Sequence, residues 1–84
     1  MAELEEKSLA VSMAVVWGLS VLLLGWLAAF TGVGAAAVNV LGSFYVGFNA
    51  SVVGGIIGLV YGLIDGAIGG FLIALVYNWA SENL

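Results

Sequence analysis

Asp65 is the residue of this chain with the clearest potential for chemistry, because it is a lone acid inside a long apolar stretch. The other four acids lie near the two ends of the chain, at Glu3, Glu5, Glu6 and Glu82. A carboxylate at the centre of a bilayer costs roughly 2.5–3.5 kcal/mol even on insertion scales. Acids kept at such positions commonly mark an ion or proton pathway, so Asp65 is the first candidate for a functional site.

Asp65 has no ion-pair partner in the apolar part of its own chain, since Lys7 is the only basic residue. Tyr61, one helical turn earlier, can offer its hydroxyl. Ser20 lies at a similar depth if two apolar helices are arranged symmetrically about their connection. Three states follow for Asp65: protonated and hydrogen-bonded, facing water in a pore, or binding a cation together with neighbouring subunits. An ion or proton site and a purely structural interhelical hydrogen bond therefore both stay open.

Residue types that support most other chemistry are missing. The chain has no cysteine and no histidine, and it has one lysine and no arginine. Thiol and imidazole chemistry and the usual metal and haem ligands are therefore absent, and a phosphate-binding basic patch cannot form. We expect no enzymatic activity, no nucleic-acid partner and no cofactor, with bound lipid or detergent as the expected small molecules.

The composition predicts an all-α membrane protein. Hydrophobic residues make up 64% of the 84-residue chain and charged residues 7%, with a mean hydropathy of +1.26. A soluble domain carries about 25% charged residues. Two uncharged or nearly uncharged stretches, about 9–31 and about 52–79, are each long enough to cross a hydrocarbon core of about 30 Å. They predict one domain, a transmembrane helical hairpin of two antiparallel spans. A cleavable signal peptide is the alternative for the first stretch, against which its acidic start argues.

The connection, residues 32–51, is too apolar for an ordinary loop. Gly32 and Gly34 predict a helix stop, a short helix is expected at Ala35–Leu41, and Asn49 or Ser51 can cap the next helix. We expect this connection to lie as a cap in the membrane interface, where aromatic rings are enriched. The expected interfacial anchors of the whole chain are Trp26, Phe44, Tyr45, Phe48, Tyr77 and Trp79.

Lys7 is the one residue that bears on orientation. Positive charges favour the cytoplasmic side, so Lys7 places both termini in the cytoplasm. With a prokaryotic inner membrane as the expected location, the membrane lipid itself is a predicted partner.

Glycine recurs at every fourth position of the second span. The row comprises Gly54, Gly58, Gly62, Gly66 and Gly70, and Gly18 and Gly25 lie on the first span. Small residues at this spacing let helix backbones approach closely in lipid. Because the row is wider than one neighbouring helix needs, we expect a homo-oligomer whose central contacts use the second span. The alternative is that the glycines serve only the contact between the two spans of one chain.

Four short motifs resemble the small two-helix prokaryotic membrane proteins labelled bacteriophage holin-like or of unknown function. The matching segments are Trp17-Gly18, Gly42-Ser43-Phe44-Tyr45-x-Gly47, Tyr61-Gly62-x-x-Asp65-Gly66-x-x-Gly69-Gly70 and Leu75-x-Tyr77-Asn78. Tyr61 stands where tryptophan is common in those proteins, and Val46 where proline is common. The resemblance covers roughly residues 9–79 and implies a two-span fold and a holin-like role.

Three functions fit these observations. The first is a self-assembling, holin-like or pore-like membrane protein. The second is a structural or accessory subunit of a larger membrane assembly that does not conduct. The third is a proton- or cation-coupled ring that uses Asp65, by analogy with the proteolipid subunits of rotary ATPases, which are also glycine-rich helical pairs with one embedded acid.

Overall fold

The protein is described by a computed structural model over residues 4–84, and this part of the chain is helical and contains no strand. Helix α1 spans Glu6–Thr31, helix α2 spans Ala35–Gly42 and helix α3 spans Val52–Asn83. The two long helices are thus slightly longer than the predicted spans, and α2 is one residue longer than the predicted short helix. Glu3 lies outside the described residues.

The ends of the helices follow local sequence signals. Gly32 takes a left-handed conformation with φ of 79°, and its N–H donates to the Ala28 carbonyl at 2.9 Å, which ends α1. This geometry suits glycine because a side chain is disfavoured at positive φ. Ser51 begins α3, because its hydroxyl oxygen accepts from the N–H of Gly54 at 2.8 Å. Of the two predicted caps, Ser51 is therefore the one that is used.

Helices α1 and α3 pack side by side and run in opposite directions. At one end, the indole N–H of Trp26 donates to the Val52 carbonyl at 3.1 Å. At the other end, the Asn78 amide pairs with both the N–H and the carbonyl of Leu4, at 2.9 and 2.8 Å. The molecule is 46 Å long, which exceeds the roughly 30 Å of a hydrocarbon core. We call the part of this pair from the start of α3 to Gly58 the connection half, and the part from Gly62 to the end of α3 the termini half.

In the termini half, glycine brings the two helix backbones into direct contact. A Cβ atom at Gly62 would lie 2.7 Å from the Cα of Gly18, and one at Gly66 would lie 2.9 Å from the Cα of Ala14. Gly70 packs in the same way against Ala10. No side chain fits in these positions, so the glycines set the distance between α1 and α3.

The connecting segment, residues 32–51, does not lie across the end of the helix pair as an interfacial cap. It turns back along the pair, and Tyr45 reaches Trp17, roughly 20 Å from the end of α1 at 1.5 Å per residue. Phe48, only 4% exposed, fills the space left by Gly25 and Gly58. The core cluster of the connection half consists of Val21, Ala28, Val38, Tyr45 and Phe48.

The outer surface of the helix pair is apolar. Large aliphatic side chains such as Val16, Leu23 and Ile64 are highly exposed, at 61%, 60% and 58%. Contiguous exposed apolar surface of this kind marks contact with lipid or with other proteins. Both long helices are long and apolar enough to cross a membrane.

Candidate functional site

A chain of two hydrogen bonds joins one residue of α1, one residue of the connecting segment and one residue of α3. The indole N–H of Trp17 on α1 donates to the hydroxyl oxygen of Tyr45 at 2.9 Å. The Tyr45 hydroxyl in turn donates to Oδ2 of Asp65 on α3 at 2.5 Å. The second distance is at the short end of the range for a hydroxyl bound to an ionised carboxylate. Asp65 is thus held by a donor from the connecting segment.

Tyr45 is positioned by aromatic packing as well as by these hydrogen bonds. Its ring stacks on that of Tyr61, with centroids 5.1 Å apart and planes 3° from parallel. Phe48 meets the Tyr45 ring edge-on at a centroid distance of 6.4 Å. Burial, followed by the hydrogen bond to Asp65, raises the pKa of Tyr45 above its ordinary value. The Tyr45 hydroxyl therefore keeps its proton and acts as a donor to Asp65.

Chemistry fixes the direction of the first hydrogen bond in the chain. An indole N–H can only donate, so the Tyr45 oxygen must accept from Trp17. The Tyr45 hydroxyl donates its own proton to Oδ2 of Asp65. In this arrangement Oδ2 is an acceptor.

Asp65 is nevertheless exposed on the outer surface of the helix pair. The residues four, seven and eleven positions after Asp65 share its side of α3, and they are Gly69, Leu72 and Val76. Leu72 and Val76 are exposed apolar side chains, and Gly69 has open space where a Cβ would lie. We call these four residues the Asp65 face, an apolar strip with one carboxyl group.

The two predicted partners of Asp65 occupy different places. Tyr61 is near the site, but it supports Tyr45 by stacking. Ser20 is not part of the site, since its hydroxyl donates to the Val16 carbonyl of its own helix at 2.7 Å. Sequence reasoning missed Tyr45 and Trp17 as partners. The available signal was that Trp17, Tyr45 and Asp65 belong to three separate motifs, which the fold brings together.

The aromatic residues expected at the membrane interface divide into two groups. Phe44, Tyr77 and Trp79 are exposed. Trp26 is half-buried over Gly55, and its indole binds the Val52 carbonyl. Tyr45 and Phe48 differ from the expectation, because both are buried against the helix pair, where the glycines leave room for their rings.

The glycine row packs against other parts of the same chain. All five of its members are buried, against α1 in the termini half and against Phe48 or Asn49 in the connection half. Gly18 and Gly25 on α1 are buried as well. Within the chain, the row thus packs against α1 and the connecting segment, and Gly69 is the α3 glycine that remains open.

Comparisons of the chain with protein-family models, with curated proteins and with solved structures found no match.

Proposed function

We propose that this chain is a small integral membrane protein whose two long helices form a transmembrane hairpin. We further propose that copies assemble with their Asp65 faces towards a shared, hydrated centre, as a holin-like or pore-like oligomer. The prokaryotic inner membrane, with cytoplasmic termini, is the proposed location, based on the motif resemblance and on Lys7.

The observation that carries this proposal is the exposed carboxyl group on an apolar surface. If the Asp65 face met lipid, a polar group would be placed in hydrocarbon at a cost of several kcal/mol, roughly as for other unsatisfied polar groups. The chain contains no second basic residue that could neutralise Asp65, since Lys7 lies at the start of α1. Further copies that enclose a hydrated centre remove this cost, because each carboxyl then faces water.

The contact between copies is assigned to the Asp65 face instead of to the glycine row. The row already packs inside the chain, so it has no free surface for a neighbour. Gly69 lies four residues after Asp65, and its open position allows a neighbouring helix to approach closely.

A second candidate function is a structural or accessory subunit of a larger membrane assembly. The hydrogen bond from Tyr45 favours it, because one carboxylate oxygen is already satisfied inside the chain. In this case Asp65 holds the connecting segment in place and no conduction follows.

Single cysteines test the proposed contact, since the natural chain has no cysteine. Leu72→Cys lies on the Asp65 face. Val60→Cys is the matched control, because Val60 is also exposed but points about 140° away from Asp65 around the helix. We expect oxidation in liposomes to link Leu72→Cys chains into dimers and to leave Val60→Cys chains monomeric. Equal cross-linking of the two variants would contradict the proposed contact.

Ion leakage distinguishes the two candidate functions. A pore releases ions from liposomes that contain the purified protein, and Asp65→Asn changes that leak because it removes the charge from the hydrated centre. Tight liposomes that are unaffected by Asp65→Asn, together with dimers of Leu72→Cys, would instead support the accessory subunit.

A further inference from the structure

We infer that Asp65 is a proton-binding site, and that the proton is carried by its outer oxygen, Oδ1. This inference rests on the membrane placement proposed above, but it depends neither on assembly between copies nor on conduction. It assigns to the hydrogen-bond chain a role beyond holding the connecting segment.

The polarity of the hydrogen-bond chain selects the oxygen. Trp17 can only donate, so the Tyr45 oxygen accepts from it. The Tyr45 hydroxyl donates to Oδ2 of Asp65, so Oδ2 is already engaged as an acceptor. Within residues 4–84, no hydrogen bond reaches Oδ1. A proton on Oδ1 leaves both existing hydrogen bonds unchanged, whereas a proton on Oδ2 that points at Tyr45 would require Tyr45 to give up its own donation.

The surroundings favour a proton over a metal cation. Hard divalent cations take about six to eight oxygen ligands. Here the Tyr45 oxygen already accepts from Trp17 and donates to Asp65, so Oδ1 is the free oxygen that the described part of the chain offers. Proton binding requires that single oxygen alone.

Few other groups bear on the site. Tyr45 faces Asp65 from the connecting segment, and Tyr61 lies one turn earlier on α3. The α1 residue at the site is Trp17, which donates to Tyr45 and has no titratable group. The other charged residues of the described helices, which are Glu6, Lys7 and Glu82, lie near the helix ends. Tyr45 is therefore the polar group of the described chain that contacts Asp65.

The test is labelling with dicyclohexylcarbodiimide, an apolar reagent that modifies protonated carboxyl groups. Full-length protein in liposomes is treated over a range of pH, and the modified residues are located by mass spectrometry. We expect labelling at Asp65 that decreases at least tenfold as the pH rises, and that is lost in Asp65→Asn. Absence of labelling at Asp65 at every pH, or labelling that does not change with pH, would overturn the inference.

Tyr45→Phe separates proton binding from a merely structural role. This variant keeps the stacked ring and removes the donor to Oδ2, so the ionised carboxylate loses a stabilising hydrogen bond. We expect more labelling of Asp65 in this variant than in the natural chain at the same pH. Phe44→Leu is the matched control, because Phe44 is the exposed neighbour of Tyr45, and its labelling profile should equal that of the natural chain. An unchanged profile in Tyr45→Phe would overturn the assignment of Tyr45 as the positioning donor.

These results are independent of the tests of assembly. Failure of Leu72→Cys to cross-link removes the proposed contact between copies and leaves the labelling profile as evidence. An unlabelled Asp65 in a protein that cross-links removes the proton site alone.

Discussion

The two halves of the helix pair use the same glycine spacing for different purposes. In the termini half, Gly62, Gly66 and Gly70 let the α3 backbone touch the α1 backbone. In the connection half, Gly58 makes room for the ring of Phe48. A single sequence pattern therefore produces a backbone contact at one end and an aromatic pocket at the other.

The difference follows from where the connecting segment goes. The row advances about 40° around the helix with every four residues, so its two ends point in different directions. Its termini half faces α1, and its connection half faces the connecting segment. The segment brings Tyr45 down to Asp65, so the pocket made by the glycines also builds the candidate site.

The largest effect is expected where glycine meets backbone, at Gly66. A Cβ at this position would lie 2.9 Å from the Cα of Ala14, and a main-chain atom cannot move aside as a side chain can. We expect Gly66→Ala to destabilise the fold by about 3 kcal/mol, the upper end for overpacking, as measured by reversible unfolding in detergent. Gly69→Ala is the control, since its position is open within the chain, and in monomeric protein it should be neutral or slightly stabilising. If the two variants lose equal stability, the contact between the backbones does not hold the pair together.

An intermediate, rescuable effect is expected where glycine meets a ring, at Gly58. A Cβ at Gly58 would lie 2.7 Å from Cε1 of Phe48. We expect Gly58→Ala to cost about 1–3 kcal/mol by overpacking. Phe48→Leu should restore part of that loss, with a coupling energy of about 1 kcal/mol in a double-mutant cycle.

The same rescue should not work in the termini half. Phe48→Leu combined with Gly66→Ala is the matched control, and the two costs should add because the sites are far apart. Additive behaviour in both double variants would show that the two halves do not differ in the way described.

The smallest effect is expected at the start of α3. Ser51→Ala removes the hydroxyl that accepts from the N–H of Gly54. We expect a loss of about 1 kcal/mol, typical of a helix cap, in the same unfolding measurement. Ser20→Ala is the control, because its hydroxyl bonds only to a carbonyl of its own helix, and it should change stability by less than about 0.5 kcal/mol. A Ser51→Ala variant as stable as the control would mean that the cap contributes little.

Much of the fold could be predicted from the amino-acid sequence. Long uncharged stretches predicted the two long helices, Gly32 predicted the end of α1, and Ser51 was one of two predicted caps. These features are local, since each depends on residues within a turn or two of the chain. The small residues of α1 opposite the glycine row were also visible in the sequence.

The candidate site could be predicted only in part. Asp65 stood out because a lone acid in an apolar stretch is rare. Tyr45 was placed at the membrane interface, because an aromatic ring in an apolar connection is typical of that region. Its actual role depends on the connecting segment folding back along the helix pair, and no helical or strand periodicity describes such a segment.

By itself, the sequence determined that this chain forms long apolar helices, that it carries a single internal charge, and that glycines line one side of α3. Composition and spacing are sufficient for these properties. Only the tertiary structure decided that the glycine row is used within the chain, and that Trp17, Tyr45 and Asp65 meet. The physical reason is that both outcomes depend on which surfaces touch, and the spacing of residues does not fix that the connecting segment folds back along the helix pair.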